Sequence, residues 1–217
     1  MRYTFLFYSL IIVLTCTAQS ELGNYDVLLS EIKTDRLALK SENQSMDSCR
    51  SYFLHQFEDR IFPHWVGTKW DYNGHTNRPG SDKLIACGYF VSTTLKHMGF
   101  NWNRYDLAKM YSKAIVEQTC EKMTKYASKP EALKAVLSSE DNLYIVGLDM
   151  HVGFLLKRNN TVYFVHSNYY GTVGPEKEIA KNSMAFDDSV NYYIGKFLTD
   201  RNIKRWLNGT LFTFVRD

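Results

Sequence analysis

Apolar residues recur at intervals of three and four through the first half of the chain, the spacing of an amphipathic helix. This pattern predicts two helices within residues 21–60, in NYDVLLSEIKTDRLALK and at the start of MDSCRSYFLHQFEDRIF. A third helix is predicted from about Ala86 to Met98, with Gly99 as its stop signal. Further helix is predicted over residues 104–139, and the Gly-, Pro- and Asn-rich segment 62–79 is predicted to be an ordered loop.

The pattern changes after residue 139, where short runs rich in β-branched and aromatic residues predict strands. These runs are LYIVGL, HVGFLLKR, TVYFVHS and, near the C-terminus, LFTFVR. Helices followed by strands joined through tight turns predict an α+β fold with an antiparallel sheet.

The dipeptide Asn159–Asn160 is typical of a tight turn between two of these strands. If Arg158 then faces Thr161, period-two alternation places four residues on one face of the hairpin. These residues are His151, Gly153, His166 and Asn168. The two histidines become diagonal neighbours roughly 7–8 Å apart, and Gly153 leaves room between them.

Both faces of the hairpin are otherwise apolar, so the sheet is predicted to be covered on both sides. The helix that begins at Cys87 is expected to cover the histidine face. A thiol at a helix N-terminus beside an imidazolium has a lowered pKa and becomes a nucleophile. Cys87 therefore suits the nucleophile, His151 the base, and His166 or Asn168 the group that orients the base. The pattern indicates cysteine acyl-transfer chemistry.

The chain of 217 residues is 45% hydrophobic, enough for a sizeable core. Its net charge of +3 comes from scattered Lys and Arg residues. A nucleic-acid partner is therefore not expected.

The N-terminus has Arg2 before an apolar run and then small residues, the pattern of a secretory signal peptide, predicted over residues 1–19. The run is shorter than the roughly 20 apolar residues of a membrane span. Export to a periplasm, cell envelope or extracellular space follows, with acylation at Cys16 as a minor alternative. After cleavage three cysteines remain, and the sequence leaves open whether Cys49 pairs with Cys120 or all three are free.

Three segments, WVGTKWDYNG, ACGYFVSTTLKHMGF and HVGFLLKRNNTVYFVHS, resemble the NlpC/P60 family of papain-like cell-wall cysteine peptidases. The resemblance covers about residues 65–170 and implies a papain-like catalytic domain over residues 61–217, after an N-terminal helical segment, 20–60. It implies that Cys87 is the nucleophile, His151 the base and His166 the third member of the triad. The implied reaction is cleavage of an amide bond in peptidoglycan stem peptides, without a cofactor.

The resemblance also places Trp70, Tyr72, Gly88 and Asn168 at the substrate pocket. The chain departs from the family pattern around the nucleophile, where Ala86, Gly88 and Tyr89 stand in place of the usual Asp and Ser-Gly, and Trp70 replaces a Tyr. These departures keep two alternatives open: a non-catalytic envelope-binding module of the same fold, and a cysteine acyl-hydrolase or transferase for another substrate. A metal site built from the three triad residues is not expected, because no Cys-x-x-Cys or His-x-x-x-His spacing supports it.

Overall fold

Helices fill the first half of the chain and one antiparallel sheet fills much of the second half, in a computed structural model that describes residues 23–215. The predicted signal peptide lies outside the described residues. The helices are α1 (Tyr25–Ser41), α2 (Met46–His55), α3 (Phe62–Trp65), α4 (Cys87–His97), α5 (Arg104–Ala108), α6 (Ser112–Thr119), α7 (Lys129–Leu137), α8 (Met184–Asp187) and α9 (Asp200–Asn208). A π-helical segment, Gln56–Ile61, joins α2 to α3. No helix among the described residues is long and apolar enough to cross a membrane.

The sheet has six strands in the order β1-β6-β2-β3-β4-β5, and every neighbouring pair is antiparallel. Their bounds are β1 (Met123–Tyr126), β2 (Asn142–Gly147), β3 (Val152–Arg158), β4 (Thr161–Asn168), β5 (Gly174–Ile179) and β6 (Tyr192–Lys196). The predicted α+β class is confirmed. So are the two N-terminal helices, the helix beginning at Cys87 and the three consecutive strands β2, β3 and β4.

Three element predictions need correction. The segment 62–79, predicted to be a loop, begins with helix α3, Phe62–Trp65. The stretch predicted as further helix over 104–139 contains α5, α6 and α7 but also β1, because Met123–Tyr126 pairs along its whole length with β6. The predicted C-terminal strand is absent from the described part, residues 211–215, where Leu211 forms only an isolated bridge with Asn101. Its apolar residues serve packing instead, since the Phe212 ring lies 5.4 Å from that of Trp102.

The sheet is covered on both faces, as predicted. On one face Phe154 and Val165 pack with Phe90 of α4 and with residues of α1 and α2, so the N-terminal helices share a core with the sheet. On the other face Phe164 packs with residues of α7 and with Phe186 of α8. The larger core therefore joins residues from the first helix to the last.

Helix α4 covers the face opposite to the histidines, so the prediction that it covers the histidine face is wrong. Side chains alternate along a strand, and Phe154 points toward α4, where its ring centroid lies 6.1 Å from that of Phe90. His166 lies on the other face, stacked on Phe164 with a centroid separation of 4.0 Å. The first residue of α4, Cys87, lies at the end of the sheet where β3 begins, beside the backbone of Val152.

A buried polar network fixes the start of α1 to α4. The Trp65 indole N–H donates to the Tyr25 hydroxyl over 2.8 Å, and this hydroxyl lies 2.9 Å from His97 Nδ1. Burial, followed by the nearby positive charges of Arg78, Arg104 and Lys96, lowers the pKa of His97 to about 3, so its ring is neutral at pH 7. His97 is thus a member of this network, and its ring also stacks on that of Trp65 at a centroid separation of 6.2 Å.

We expect Tyr25→Phe to lower the free energy of unfolding by about 1–3 kcal/mol, because it leaves the buried Trp65 N–H without an acceptor. Urea denaturation measures the change. Tyr52→Phe is the matched control: the Tyr52 hydroxyl donates to Asp35 over 2.8 Å at a partly exposed position where water can replace it. Equal losses in the two variants would contradict a special role for the Tyr25 network.

Candidate active site

Cys87 is the first residue of α4, and its N-cap, Ala86, has no side chain that can bond the free N–H groups of the first turn. Backbone N–H groups of Val152, Gly88 and Cys87 itself face the sulfur instead. The chain before the helix is held by two bonds at Ile85: its carbonyl accepts from Ser167 Oγ over 2.8 Å, and its N–H donates to the Lys69 carbonyl over 2.9 Å. The thiol thus lies at the start of β3, beside Val152, which follows His151 in the sequence.

Burial raises the pKa of the Cys87 thiol, and the three backbone N–H groups oppose that rise without cancelling it. The lowered pKa expected from the helix N-terminus and an adjacent imidazolium is therefore wrong for the free protein. The physical reason is that desolvation of the thiolate outweighs the helix-end donors. All three described cysteines are free, so the Cys49–Cys120 disulfide is not formed.

The predicted hairpin register is confirmed. Arg158 pairs with Thr161 around the Asn159–Asn160 turn, and the pairing continues in step to Phe154 and Val165. The register brings the two histidines together, with His151 Nε2 2.8 Å from His166 Nδ1.

Gly153 provides the space in which the two histidines meet, also as predicted. A Cβ at this position would lie 2.6 Å from Phe164 Cε2 and 2.8 Å from His166 Cβ. The sequence therefore needs glycine here for close packing rather than for backbone freedom.

The histidine pair lies in an apolar and aromatic environment. His166 is fully buried and His151 is 4% exposed. Besides the stacking of His166 on Phe164, the His151 ring meets Tyr169 edge-on at a centroid separation of 5.2 Å. Burial, reinforced by the neighbouring His166, lowers the pKa of His151 well below its ordinary value. His151 is therefore neutral at pH 7, the form in which an imidazole accepts a proton.

Two carboxylates on β5 lie beside the histidine pair, and the sequence did not reveal them. Glu178 Oε1 lies 3.1 Å from His166 Nε2, and Glu176 Oε1 lies 3.9 Å from the same nitrogen. Burial opposes ionisation of Glu178, but hydrogen bonds with His166 and Ser183 and the charge of Lys129 lower the pKa of its carboxyl. The alternation of Glu and Lys in GPEKEI was the available signal, since it places both carboxylates on one face of a strand.

The residues expected at the substrate pocket occupy different environments. Tyr72 is 80% exposed and free to meet a ligand. The Trp70 ring lies 6.1 Å from that of Tyr169, which contacts His151. Its indole N–H is buried and has no partner among the described residues, so it is a donor aimed at no protein acceptor.

Gly88 and Asn168 serve the scaffold. A side chain at Gly88 would collide with the Ala108 carbonyl oxygen, so glycine allows α4 and α5 to pack closely. Asn168 donates to Glu176 Oε1 over 2.8 Å and accepts from the Tyr170 N–H over 2.9 Å. His166 rather than Asn168 is therefore the partner of His151.

The donor atoms of His166, Glu176 and Glu178 lie within 4.8 Å of one another, which makes them the group of described residues able to hold a metal ion. Cys87 and His151, weighed as ligands from the sequence, are not part of it. His166 Nε2 is already hydrogen-bonded to Glu178. No family model, curated protein or solved structure matches the chain.

We expect alkylation of Cys87 by iodoacetamide to accelerate about tenfold per pH unit from pH 6 to 9, because the thiolate is the reactive form and the thiol pKa is raised. Peptide mass spectrometry separates Cys87 from the two buried cysteines, and Cys87→Ser gives the background. A rate that is already constant below pH 7 would instead indicate a preformed thiolate.

We expect Gly153→Ala to lower the free energy of unfolding by about 1–3 kcal/mol, since the added methyl must displace the Phe164 ring or His166. Denaturant titration measures the loss. Gly80→Ala is the matched control, because its Cβ would meet only the side chains of Asp82 and Lys83, at 2.9 and 3.1 Å. A loss as large at Gly80 would contradict the packing explanation.

Proposed function

We propose that the protein is an exported, papain-like cysteine peptidase or amidase that cleaves an amide bond in peptidoglycan stem peptides. One observation carries the proposal: His151 and His166 form a buried 2.8 Å pair, and the Cys87 sulfur lies against the N–H of Val152, the residue after His151. This contact brings the candidate nucleophile to the residue next to the candidate base, whose ring is paired with the candidate orienting group.

The resemblance of three sequence segments to the NlpC/P60 family supports the choice of substrate and the papain-like fold. The chain order of Cys87, His151 and His166 fits that family, as does a Gly-Thr-aromatic loop before the cysteine. This loop is held near the site, because the backbone N–H of Trp70 donates to the Thr172 carbonyl over 3.2 Å.

The geometry supports a general-base mechanism that starts from a neutral thiol and a neutral imidazole. His151 takes the thiol proton as the sulfur attacks the carbonyl carbon, and the carbon–oxygen double bond opens to an oxyanion. When the oxyanion collapses, the carbon–nitrogen bond breaks and His151 gives the proton to the departing amine. A water molecule then hydrolyses the thioester, again with His151 as base.

The N–H groups at the start of α4 are suited to stabilise the oxyanion. Ala86 supplies no side-chain cap, so the first-turn donors remain available, and the positive end of the helix dipole adds to their effect.

We expect the wild-type protein to release new amines from purified peptidoglycan fragments, detected by mass spectrometry of the stem peptides. Cys87→Ala should lower the rate on the order of 10⁴-fold or more, and His151→Ala by about 10²–10⁴-fold because it removes the base. Cys120→Ala is the matched control, since it removes a buried thiol of the core cluster and should leave the rate nearly unchanged.

Three results would overturn the proposal. Equal product from Cys87→Ala would remove Cys87 as the nucleophile. Binding of stem peptides without cleavage, equally by wild type and Cys87→Ala, would identify a binding module of the same fold. Turnover of an ester or acyl-transfer substrate with no action on stem peptides would keep the triad and replace the substrate.

A further inference from the structure

The third member of the triad is itself held by a carboxylate on the neighbouring strand. In the β4–β5 register His166 stands opposite Glu176, and Phe164 stands opposite Glu178. Both glutamates lie on the histidine face of the sheet, at the edge strand. His166 is fully buried and has contacts at both ring nitrogens: His151 at Nδ1 and Glu178 at Nε2.

For a neutral His166, the chemistry of these partners fixes where each hydrogen lies. An ionised carboxylate has no hydrogen to donate, so His166 Nε2 must carry the hydrogen that Glu178 accepts. A neutral imidazole has a single N–H, which leaves His166 Nδ1 as an acceptor. The hydrogen between the rings therefore belongs to His151 Nε2, and His151 Nδ1 carries a lone pair.

We propose that Glu178 is a positioning residue that sets the direction of the hydrogen-bond chain, so that His151 presents an unprotonated Nδ1 to the Cys87 thiol. This inference rests on the proposed function, because it assigns the residue that orients the general base. With the chain reversed, His166 would donate from Nδ1 and His151 would carry its hydrogen on Nδ1. Such a His151 cannot accept the thiol proton.

Glu178 rather than Glu176 has this role. Its oxygen lies 3.1 Å from His166 Nε2, within hydrogen-bonding distance, whereas the Glu176 oxygen lies 3.9 Å away. Glu176 Oε1 is also the acceptor for Asn168 Nδ2. The two residues have the same type, strand and face, which makes Glu176 a control that differs chiefly in distance.

The test compares Glu178→Gln with Glu176→Gln in the mature full-length protein. Glutamine keeps the shape of glutamate, but its amide can donate a hydrogen to His166 Nε2 and so reverse the chain. The first measurement is the side-chain ¹⁵N spectrum of the histidines at pH 7, which reports which nitrogen carries the hydrogen and needs no substrate. The second is the rate of stem-peptide cleavage together with its pH profile.

We expect His166 to be the Nε2–H tautomer in the wild type and in Glu176→Gln, and the Nδ1–H tautomer in Glu178→Gln. The cleavage rate should fall roughly 10²–10⁴-fold in Glu178→Gln, the range for loss of a correctly placed base. Glu176→Gln should change it less than about threefold. Glu178→Asp, which keeps the charge, should restore the wild-type tautomer.

An unchanged tautomer in Glu178→Gln would overturn the inference, as would equal losses of rate in the two glutamine variants. If Glu178→Gln does not fold, the wild-type spectrum still decides, because an Nδ1–H tautomer of His166 contradicts the proposed direction. A tautomer that reverses in a protein without cleavage activity supports the hydrogen-bond chain and rejects the proposed function. The two failures are therefore distinguishable.

Discussion

The hydrogen bond between His151 and His166 is the interaction on which the candidate site depends. It forms because the Asn159–Asn160 turn fixes the register of β3 and β4, which puts both imidazoles on one face with a glycine between them. A slip of one residue would send one ring to the opposite face, into the core beneath α4. Turn chemistry and strand alternation, both local properties, thus determine a contact between residues 15 positions apart.

The parts of the fold that local patterns specify were predictable, and the parts that depend on distant partners were not. The start of α4, the three central strands and the hairpin register follow from spacing, glycines and one turn dipeptide. By contrast, Met123–Tyr126 reads as helix and becomes a strand only because β6 lies beside it. The face covered by α4 was likewise beyond the sequence, since both hairpin faces are apolar and either suits a helix.

The same distinction applies to the site. Cys87, His151 and His166 could be named from the sequence because each stands in a recognisable local setting. Glu176 and Glu178 could not, because β5 is short and half polar, and its alternating charges are also typical of a loop. Their importance depends on the pairing of β5 with β4. The two carboxylates are the only acidic groups among the described residues that lie within 4.0 Å of a His166 nitrogen.

Burial gives the site a neutral resting state. It raises the pKa of the thiol and lowers that of His151, so each change favours the uncharged form. A thiol held in this way is protected from oxidants and electrophiles, which react with the thiolate. In the proposed mechanism the thiol loses its proton only as the sulfur attacks the substrate carbonyl, so reactivity depends on substrate binding.

The position of Glu178 on an edge strand has a consequence for the dynamics of the site. Strand β5 is hydrogen-bonded to β4 alone, and edge strands open more readily than central ones. A brief fraying of β5 would release the carboxylate while the histidine pair, held by central strands, stayed in place. If Glu178 orients His151 as proposed, that orientation depends on an edge strand rather than on the core of the sheet.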